Sequence, residues 1–341
     1  MLKHFAWRAT VCRHYTTPRS HHKVKPSILE LLNSSAVTGK RVKTLSFPTV
    51  AAAACAKNIH ANQMSELDSP DAQIMSHSGG EDAYFIRPDS LGVADGVGGW
   101  VNVKGANSAL YSRMLMHYSA MEFQNYDTPD FEADPLPPIG DFDPKYVLIA
   151  SYKKMKDMEL QEGLVGSTTA IVAHLKNDKL SVANIGDGGI MVIRDGDIIF
   201  RSEEQQHSFN FPFQLGSRSR DSPKDAQMYT LSLKESDIVI MASDGIWDNL
   251  FDNQILEIVK SVSDNATDGG VKRRPALHTL TQEIADSIIA HAKLVGENQY
   301  VESPFQTKAS LEGIYYQGGK NDDMTCLVAV ARELEDSPDR R

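Results

Sequence analysis

Four short acidic motifs, spread over more than 200 residues, each place an aspartate at the end of a run of apolar residues. Carboxylates that converge at strand ends repel one another unless positive charge lies between them. Hard divalent ions such as Mg²⁺ and Mn²⁺ prefer shells made of oxygen ligands. The motifs therefore predict a metal site that only a fold joining distant segments can build. Their aspartates are Asp95, Asp187, Asp244 and Asp322.

Taken one at a time, each motif also fits an ordinary structural role, because aspartates and Asp-Gly pairs are common in turns and helix caps. The Asp95-Gly96 pair has a further property, since glycine lets a backbone carbonyl approach a cation closely. Asp322 is followed by Asp323, and one of the two could serve only as a cap. The metal hypothesis depends on the motifs acting together.

The chain of 341 residues carries a formal net charge of -10 that is unevenly distributed. Residues 1–65 hold ten Lys and Arg against one acid, whereas residues 66–341 hold 25 bases and 44 acids. Nucleic-acid phosphates are bound by clustered Lys and Arg. The acidic body therefore argues against nucleic acid as a partner, and we expect phosphate binding there to depend on metal.

The three cysteines, Cys12, Cys55 and Cys326, have no paired spacing and no CxxC motif. This pattern predicts neither a disulfide framework nor a zinc site, and it favours a reducing compartment. None of the three cysteines lies in a motif typical of a catalytic nucleophile.

The basic residues of the first segment are concentrated at its start. Residues 1–25 contain six Lys and Arg and no acid, and apolar residues recur there at helical spacing. This composition is typical of a mitochondrial presequence, and the position of Arg13 fits cleavage before Thr16. A basic tail without targeting function is the alternative. We predict a presequence and basic linker over residues 1–41 and a location in the mitochondrial matrix.

The apolar stretch at residues 45–56 contains Pro48 and is only about a dozen residues long. A helix needs about 20 residues to span a bilayer. We therefore predict no transmembrane span and a first buried strand region here, with association with a membrane surface as the lesser alternative.

From Glu81 onward, strand-like and helical patterns alternate. Blocks of strands followed by helix pairs favour an α+β fold, with antiparallel sheets packed on each other and helices outside. Residues 125–143 have the composition of a solvated loop, and residues 296–320 are also predicted to be a loop. We predict one folded domain over residues 42–332 and a polar tail over 333–341. The spacing predicts strands at 84–86, 91–94, 228–233, 238–242 and 324–331, a meander over 166–201, and helices at 107–124, 144–158, 252–263 and 277–294.

Six motifs occur in a fixed order: GEDAYF, ADGVGGW, GSTTA, ANIGD, ASDGIWDN and NDDMTCLV. Together they resemble the metal-dependent serine/threonine protein phosphatases, the PPM family, over about residues 42–332. The DGVGGW variant, residues 211–215 and the presequence are most similar to the mitochondrial branch of that family. The resemblance implies a central antiparallel β-sandwich flanked by helices, the PPM phosphatase fold.

The resemblance also implies a site for two Mn²⁺ or Mg²⁺ ions, with a third held more weakly. Asp95 would bridge the two main ions, and Asp187 with Asp244 would bind the third. Asp82 would orient a bound water. Asp95 and Asp244 would act in catalysis through metal-bound water. The implied metal ligands are Glu81, Asp95, Gly96 through its carbonyl, Asp187, Asp244 and Asp322.

The implied activity is hydrolysis of phosphoserine and phosphothreonine in proteins. Two ions lower the pKa of a bridging water, so that hydroxide is available near neutral pH to attack phosphorus. The implied partners are mitochondrial phosphoproteins, with enzymes of quinone biosynthesis as one guess.

Two positions depart from the family pattern. His77 stands where many members have a phosphate-binding arginine, and Val97 stands where a histidine usually follows the Asp-Gly pair. Arg87 and Lys104 are candidates for the missing positive charge. These departures leave open a binding module that kept the scaffold and lost turnover. A two-metal phosphodiesterase is a third possibility.

Overall fold

The computed structural model describes residues 44–57, 74–127, 143–265 and 277–333. In that part of the chain the helices are α1 (Ser108–Asp127), α2 (Pro144–Glu162), α3 (Asp244–Trp247), α4 (Asp252–Asn265), α5 (Leu277–Gly296) and α6 (Pro304–Leu311). The strands in the same residues are β1 (Leu45–Ser46), β2 (Val50–Cys55), β3 (His77–Gly79), β4 (Asp82–Ile86), β5 (Ser90–Asp95), β6 (Ser167–Thr168), β7 (Ala170–Lys176), β8 (Lys179–Ile185), β9 (Gly189–Arg194), β10 (Asp197–Arg201), β11 (Gln206–Ser208), β12 (Phe211–Pro212), β13 (Leu215–Gly216), β14 (Gln227–Ser232), β15 (Ile238–Ala242), β16 (Met324–Val330) and β17 (Arg332–Glu333).

The predicted presequence and linker, residues 1–41, lie outside the described residues, and so does the predicted C-terminal tail apart from Glu333. The predicted domain boundaries therefore stay predictions. Residues 45–56 contain β1 and β2, as expected for a first strand region. Among the helices of the described residues, none combines the length and the apolar character that crossing a bilayer requires.

Two antiparallel sheets form the centre of the structure. The first sheet has the strand order β10-β9-β15-β16-β2, and the second sheet has the order β14-β8-β7-β5-β4-β3. Every pair of neighbouring strands in the two sheets is antiparallel. The α+β prediction with antiparallel sheets is therefore confirmed.

The two sheets pack face to face, with helices on both outer faces. Ile171 of the second sheet and Val239 of the first sheet are buried members of the apolar core between them. Helices α1 and α2 pack on the outer face of the second sheet, and helices α4 and α5 pack on the outer face of the first sheet. The result is the predicted β-sandwich flanked by helices.

Strand β7 illustrates how the sequence encodes this layering. Ile171 and Ala173 belong to the core between the sheets, whereas Ala170 and Val172 belong to the core under α1 and α2. Successive side chains of a strand point to opposite faces. A strand that is covered on both faces therefore contains an almost continuous apolar run.

The helix boundaries follow from local capping signals. Asn107 Oδ1 accepts a hydrogen bond from the Leu110 N–H at 2.9 Å at the start of α1. The Asp143 side chain accepts one from the Lys145 N–H at the start of α2. Gly163, the residue after the end of α2, has the left-handed conformation, with φ of 71°. Side-chain acceptors at N-caps and glycine after the last turn are the usual helix boundaries. Both predicted helix starts are confirmed.

The predicted meander over residues 166–201 is wrong. β7 and β8 pair in the second sheet, whereas β9 and β10 pair in the first sheet. The chain crosses between the sheets at Gly186, whose φ is 111°, a conformation that favours glycine. A Cβ at this position would lie 2.7 Å from the Thr169 side chain. Asp187 therefore lies at a crossover and not in a simple hairpin turn.

Residues 296–320 also differ from the prediction. They contain helix α6, whose start is capped by Ser303, with Pro304 in the first turn. A serine followed by proline is a recognisable start signal for a helix. The short length of α6 and its weak apolar periodicity explain why the segment was predicted as a loop.

Candidate active site

Three aspartates from separate segments meet at one end of the sandwich. Asp95 ends β5, Asp187 lies in the crossover between β8 and β9, and Asp244 begins α3 just after β15. One carboxylate oxygen from each residue lies within 4.8 Å of the other two. The two sheets thus bring together side chains that are far apart along the chain.

Two oxygens in this cluster have no hydrogen-bond donor among the described residues. Asp187 Oδ1 and Asp244 Oδ1 are both buried and accept no hydrogen bond there. A buried charged oxygen without a partner is costly unless a cation lies beside it. Carboxylate oxygens are also the ligands that hard divalent ions prefer. The residues present therefore fit a divalent metal.

The crowding of these carboxylates changes their acidity. Burial, followed by the charges of Asp244 and Asp82, raises the pKa of Asp95 well above its ordinary value. Burial raises the pKa of Asp244 to about 6, although the Lys320 ammonium opposes this change. Burial and the charge of Asp244 also raise the pKa of Asp187. A cation between the carboxylates would oppose these shifts by favouring the ionised forms.

Lys320 places a positive charge within the cluster. Its ammonium donates hydrogen bonds to Asp244 Oδ2 and, at 2.9 Å, to Asp248 Oδ2, and it lies 3.1 Å from Asp322 Oδ2. The side chain is only 15% exposed. Burial opposes the charged form, but the three carboxylates outweigh it and raise the pKa of Lys320 well above its ordinary value. Lys320 therefore offsets part of the repulsion among the acids.

A second ammonium group, that of Lys57, joins Glu81 to Asp322. Lys57 Nζ donates a hydrogen bond to Asp322 Oδ1 at 2.9 Å and lies 3.2 Å from Glu81 Oε2. The Lys57 side chain is 28% exposed, whereas that of Asp244 is 7% exposed. Burial alone would raise the pKa of Asp322, but Lys320 and Lys57 lower it. Lys57 and Glu81 form the more exposed side of the cluster.

Asp323 holds two backbone segments together beside these ligands. Its Oδ1 accepts a hydrogen bond from the Lys57 N–H at 2.7 Å, and its Oδ2 accepts one from the Glu81 N–H at 2.9 Å. Gly80 has φ of 84°, and a Cβ there would lie 2.4 Å from Asp323 Oδ1. Glycine at this position therefore permits the close approach that positions Glu81.

Asp82 connects the start of β4 to the loop that carries Asp244. It lies opposite Asp95 in the pairing of β4 with β5. Its Oδ2 accepts a hydrogen bond from Ser243 Oγ at 2.7 Å. Burial, followed by the charge of Asp323, raises the pKa of Asp82 well above its ordinary value.

A comparison with models of protein families shows which family the chain belongs to. The family model described as protein phosphatase 2C matches residues 90–283. The chain belongs to the protein phosphatase 2C family. This is the family of metal-dependent serine/threonine phosphatases that the six motifs resemble, so that prediction is confirmed.

Curated relatives of this phosphatase 2C chain come from plants and animals. It is 36% identical to the probable protein phosphatase 2C 55 of Arabidopsis thaliana over 307 residues, 89% of the chain and 58% of that protein. It is 34% identical to the protein phosphatase PTC7 homolog of Danio rerio over 271 residues, 75% of the chain and 83% of that protein. The chain spans about half the length of the plant relatives it matches, 58% and 54% for two of them.

Solved structures share the fold of the chain. The photosystem II phosphatase PBCP has a TM-score of 0.62 at 26% identity, covering 85% of the chain and 100% of that structure. The catalytic domain of the serine/threonine phosphatase PstP, solved in complex with two manganese ions, has a TM-score of 0.52 at 17% identity, also covering 85% and 100%. The second likeness concerns the fold alone.

All six predicted ligand positions of this phosphatase 2C chain lie in one cluster. Asp95, Asp187 and Asp244 approach one another directly. Lys320 links Asp322 to Asp244, and Lys57 links Glu81 to Asp322. The Gly96 N–H donates a hydrogen bond to the Glu81 carbonyl at 3.1 Å, which holds the Asp-Gly pair against this group. That these residues bind metal stays a prediction.

The positive charge beside the carboxylates does not come from the two residues named as candidates, Arg87 and Lys104. Arg87 Nε lies 3.5 Å from Asp89 Oδ1, next to the end of β4 that is remote from Asp82. Lys104 lies on an exposed loop. Lys57 and Lys320 contact the carboxylates instead. The prediction used nearness in sequence, whereas the structure brings in lysines from either end of the domain.

The histidines and tryptophans outside the cluster have structural contacts. His207 Nε2 lies 3.0 Å from Asp221 Oδ1, and its ring stacks on Phe213 with centroids 3.9 Å apart. His174 stacks on Phe123. Trp247 is 2% exposed and belongs to the core under α4 and α5. Packing in the core, and not contact with the carboxylates, therefore accounts for the burial of Trp247.

Four residues of the cluster were missed by the sequence analysis or given no role there. Asp248 is the second acid of the ASDGIWDN motif, and this position could have indicated a role in the cluster. Asp323 was considered only as a possible cap. Lys57 and Lys320 carried no signal of their own, because a single lysine beside apolar residues is usually solvated.

Proposed function

We propose that this chain is a metal-dependent phosphatase that hydrolyses phosphoserine and phosphothreonine in proteins. The observation that carries the proposal is the cluster of Asp95, Asp187 and Asp244, with oxygens within 4.8 Å of one another. Two of the cluster's oxygens are buried without a donor among the described residues. Membership of the protein phosphatase 2C family supports the same activity.

The metal proposed here is Mn²⁺ or Mg²⁺, with two ions and a third held more weakly. The PstP structure with two manganese ions, which shares the fold, supports this choice. Bound divalent ions would activate water for attack on phosphorus and offset the charge of the phosphoryl oxygens. The proposed ligands are Glu81, Asp95, the carbonyl of Gly96, Asp187, Asp244 and Asp322.

Side chains of the protein contact one carboxylate oxygen of each of two of these proposed ligands, Asp244 and Asp187. Lys320 engages Asp244 Oδ2, while Asp244 Oδ1 has no donor among the described residues. Gln206 Nε2 lies 3.5 Å from Asp187 Oδ2, while Asp187 Oδ1 has no donor there. Partners of this kind hold a ligand in one orientation. Each aspartate thus has one oxygen held by the protein and one left for a cation.

The proposal is tested by phosphate release from purified chain. We expect turnover of an aryl phosphate and of phosphoserine and phosphothreonine peptides in Mn²⁺ or Mg²⁺, and none after treatment with EDTA. An aryl phosphodiester should react much more slowly than the monoester.

Two outcomes would replace the proposal. Phosphopeptide binding without turnover in either metal would indicate a binding module, which the substitutions at His77 and Val97 leave open. Faster reaction with the diester would indicate a phosphodiesterase.

We also propose that the protein acts on phosphoproteins of the mitochondrial matrix. The basic, acid-free composition of residues 1–25 supports this location. We expect the full chain to be imported into mitochondria and a variant lacking residues 1–25 to remain in the cytosol. A variant lacking residues 334–341 is the control and should be imported. Unchanged import after removal of residues 1–25 would contradict the location.

A further inference from the structure

The proposed reaction brings a phosphate dianion to a site dominated by carboxylates. Bound divalent ions would offset part of the phosphate charge, and a positively charged hydrogen-bond donor would add to this, because charge-assisted bonds to phosphate are among the strongest that proteins make. His77 lies in β3 opposite Tyr84, with ring centroids 5.2 Å apart, so its side chain is engaged on the sheet. The candidates for such a donor are therefore the charged groups that contact the cluster.

Two ammonium groups of the described chain contact the proposed ligands, and Lys320 is unsuited to bind phosphate. Its three N–H groups face the three carboxylates of Asp244, Asp248 and Asp322. An ammonium has three donors and no more. Its side chain is also only 15% exposed. Lys320 is therefore saturated by the protein and shielded from an incoming substrate.

Lys57 has the opposite properties. One N–H donates to Asp322 Oδ1 at 2.9 Å, and the ammonium forms an ion pair with Glu81 Oε2 at 3.2 Å, which takes at most one more N–H. The distance to Asp323 Oδ2 is 3.7 Å, which is too long for a hydrogen bond. Among the described residues one donor of Lys57 is thus left over. The side chain is 28% exposed, on the more open side of the cluster.

The backbone of Lys57 is held in place. Its N–H donates to Asp323 Oδ1 at 2.7 Å, and the preceding strand β2 pairs with β16 up to Cys55 opposite Met324. A donor on a fixed backbone loses less conformational freedom when it binds a ligand. The ammonium is therefore presented to solvent directly beside Glu81 and Asp322.

We propose that Lys57 binds the phosphate group of the substrate. This inference rests on the proposed phosphatase function. Lys57 is then a catalytic residue, because its ammonium donates a hydrogen bond to a phosphoryl oxygen of the substrate. Its contacts with Asp322 and Glu81 keep it beside the proposed metal ligands without using its third donor.

The test compares Lys57→Met, Lys57→Arg and the control Lys153→Met, which removes the same charge from an exposed position on α2. Binding of inorganic phosphate to the Mn²⁺-loaded protein is measured by calorimetry, and KM and kcat are measured with a phosphopeptide. We expect Lys57→Met to weaken phosphate binding by about tenfold to a hundredfold, the usual range for a hydrogen bond to a charged group. Lys57→Arg should restore most of the binding, and Lys153→Met should match the unaltered chain.

A second measurement separates phosphate binding from a counter-charge role. The affinity of each variant for Mn²⁺ is measured by calorimetry without phosphate. We expect Lys57→Met to bind Mn²⁺ at least as tightly as the unaltered chain, because a like charge has been removed. Unchanged phosphate binding in Lys57→Met, with altered Mn²⁺ affinity, would overturn the proposal.

These measurements distinguish failure of the proposed phosphatase activity from failure of the proposed role of Lys57. Phosphate binding by calorimetry requires no turnover, so an inactive chain that binds phosphate through Lys57 would reject the phosphatase activity alone. An active chain whose phosphate affinity is the same in Lys57→Met would reject the role of Lys57 alone.

Discussion

Replacing Asp95 with asparagine is expected to lower kcat/KM for an aryl phosphate in Mn²⁺ by about a thousandfold, the loss that follows removal of a central charge-stabilising group. Asp95 is the aspartate of the cluster that lies at the end of β5 and within 4.8 Å of Asp187 and Asp244. Asparagine keeps the shape and one oxygen but loses the charge that would attract a cation. Initial rates over a range of Mn²⁺ concentrations measure the effect.

Two controls separate this loss from misfolding. Asp157→Asn removes a carboxylate from an exposed position on α2 and should leave the rate unchanged. Burial and neighbouring acids raise the pKa of Asp95, so its ionised form is disfavoured in the metal-free fold. The melting temperature of Asp95→Asn in EDTA should therefore equal or exceed that of the unaltered chain, while the rise caused by Mn²⁺ should shrink. Full activity in Asp95→Asn would reject Asp95 as a metal ligand.

The second large effect is expected from Lys320→Met. Removing one partner of a buried ionic network leaves the other charges uncompensated, at a cost of about 3 kcal/mol. Lys320 contacts Asp244, Asp248 and Asp322 and is mostly buried. We therefore expect the free energy of unfolding of the metal-free protein to fall by about 3 kcal/mol. Urea denaturation in EDTA measures it, and Mn²⁺ should recover part of the loss by replacing the missing charge.

The pH dependence of the free energy of unfolding tests whether the loss in Lys320→Met comes from its ion pairs with the carboxylates. The lysines lower the pKa of Asp322 in the folded state. Their stabilisation is therefore present above the unfolded pKa, about 4 for aspartate, and is lost as the pH falls through the folded pKa. The difference between Lys320→Met and the unaltered chain should shrink as the solution is acidified toward that range. Lys153→Met is the matched control, and an equal, small change in both variants would contradict a structural role for Lys320.

Much of the secondary structure was predictable because its signals are local. Asn107 and Asp143 cap the helices whose starts were predicted. Strand β15 runs over the apolar residues immediately before Ser243. Local signals failed at Gly186, where the choice between a hairpin turn and a crossover depends on which sheet receives β9. That choice is made by packing between sheets and leaves no mark in a short window of sequence.

The acidic residues of the cluster were predictable from the sequence, whereas its lysines were not. A carboxylate beside a strand end is unusual enough to be noticed, and several together suggest a cation. Lysines are common on surfaces, and nothing local distinguishes Lys57 from a solvated side chain. Its partner Asp322 is 265 residues away in the chain. Only the folded structure reveals that pair.

The sequence by itself determined the apolar periodicity of the strands, the helix caps and the presence of aspartates at strand ends, because each depends on neighbouring residues. The tertiary structure decided which carboxylate oxygens face one another and which ammonium groups balance them. Electrostatic interactions act through space, and the packing of two sheets sets the distances between Asp95, Asp187 and Asp244. The same packing leaves Lys320 saturated by carboxylates and Lys57 partly exposed at the open side of the cluster.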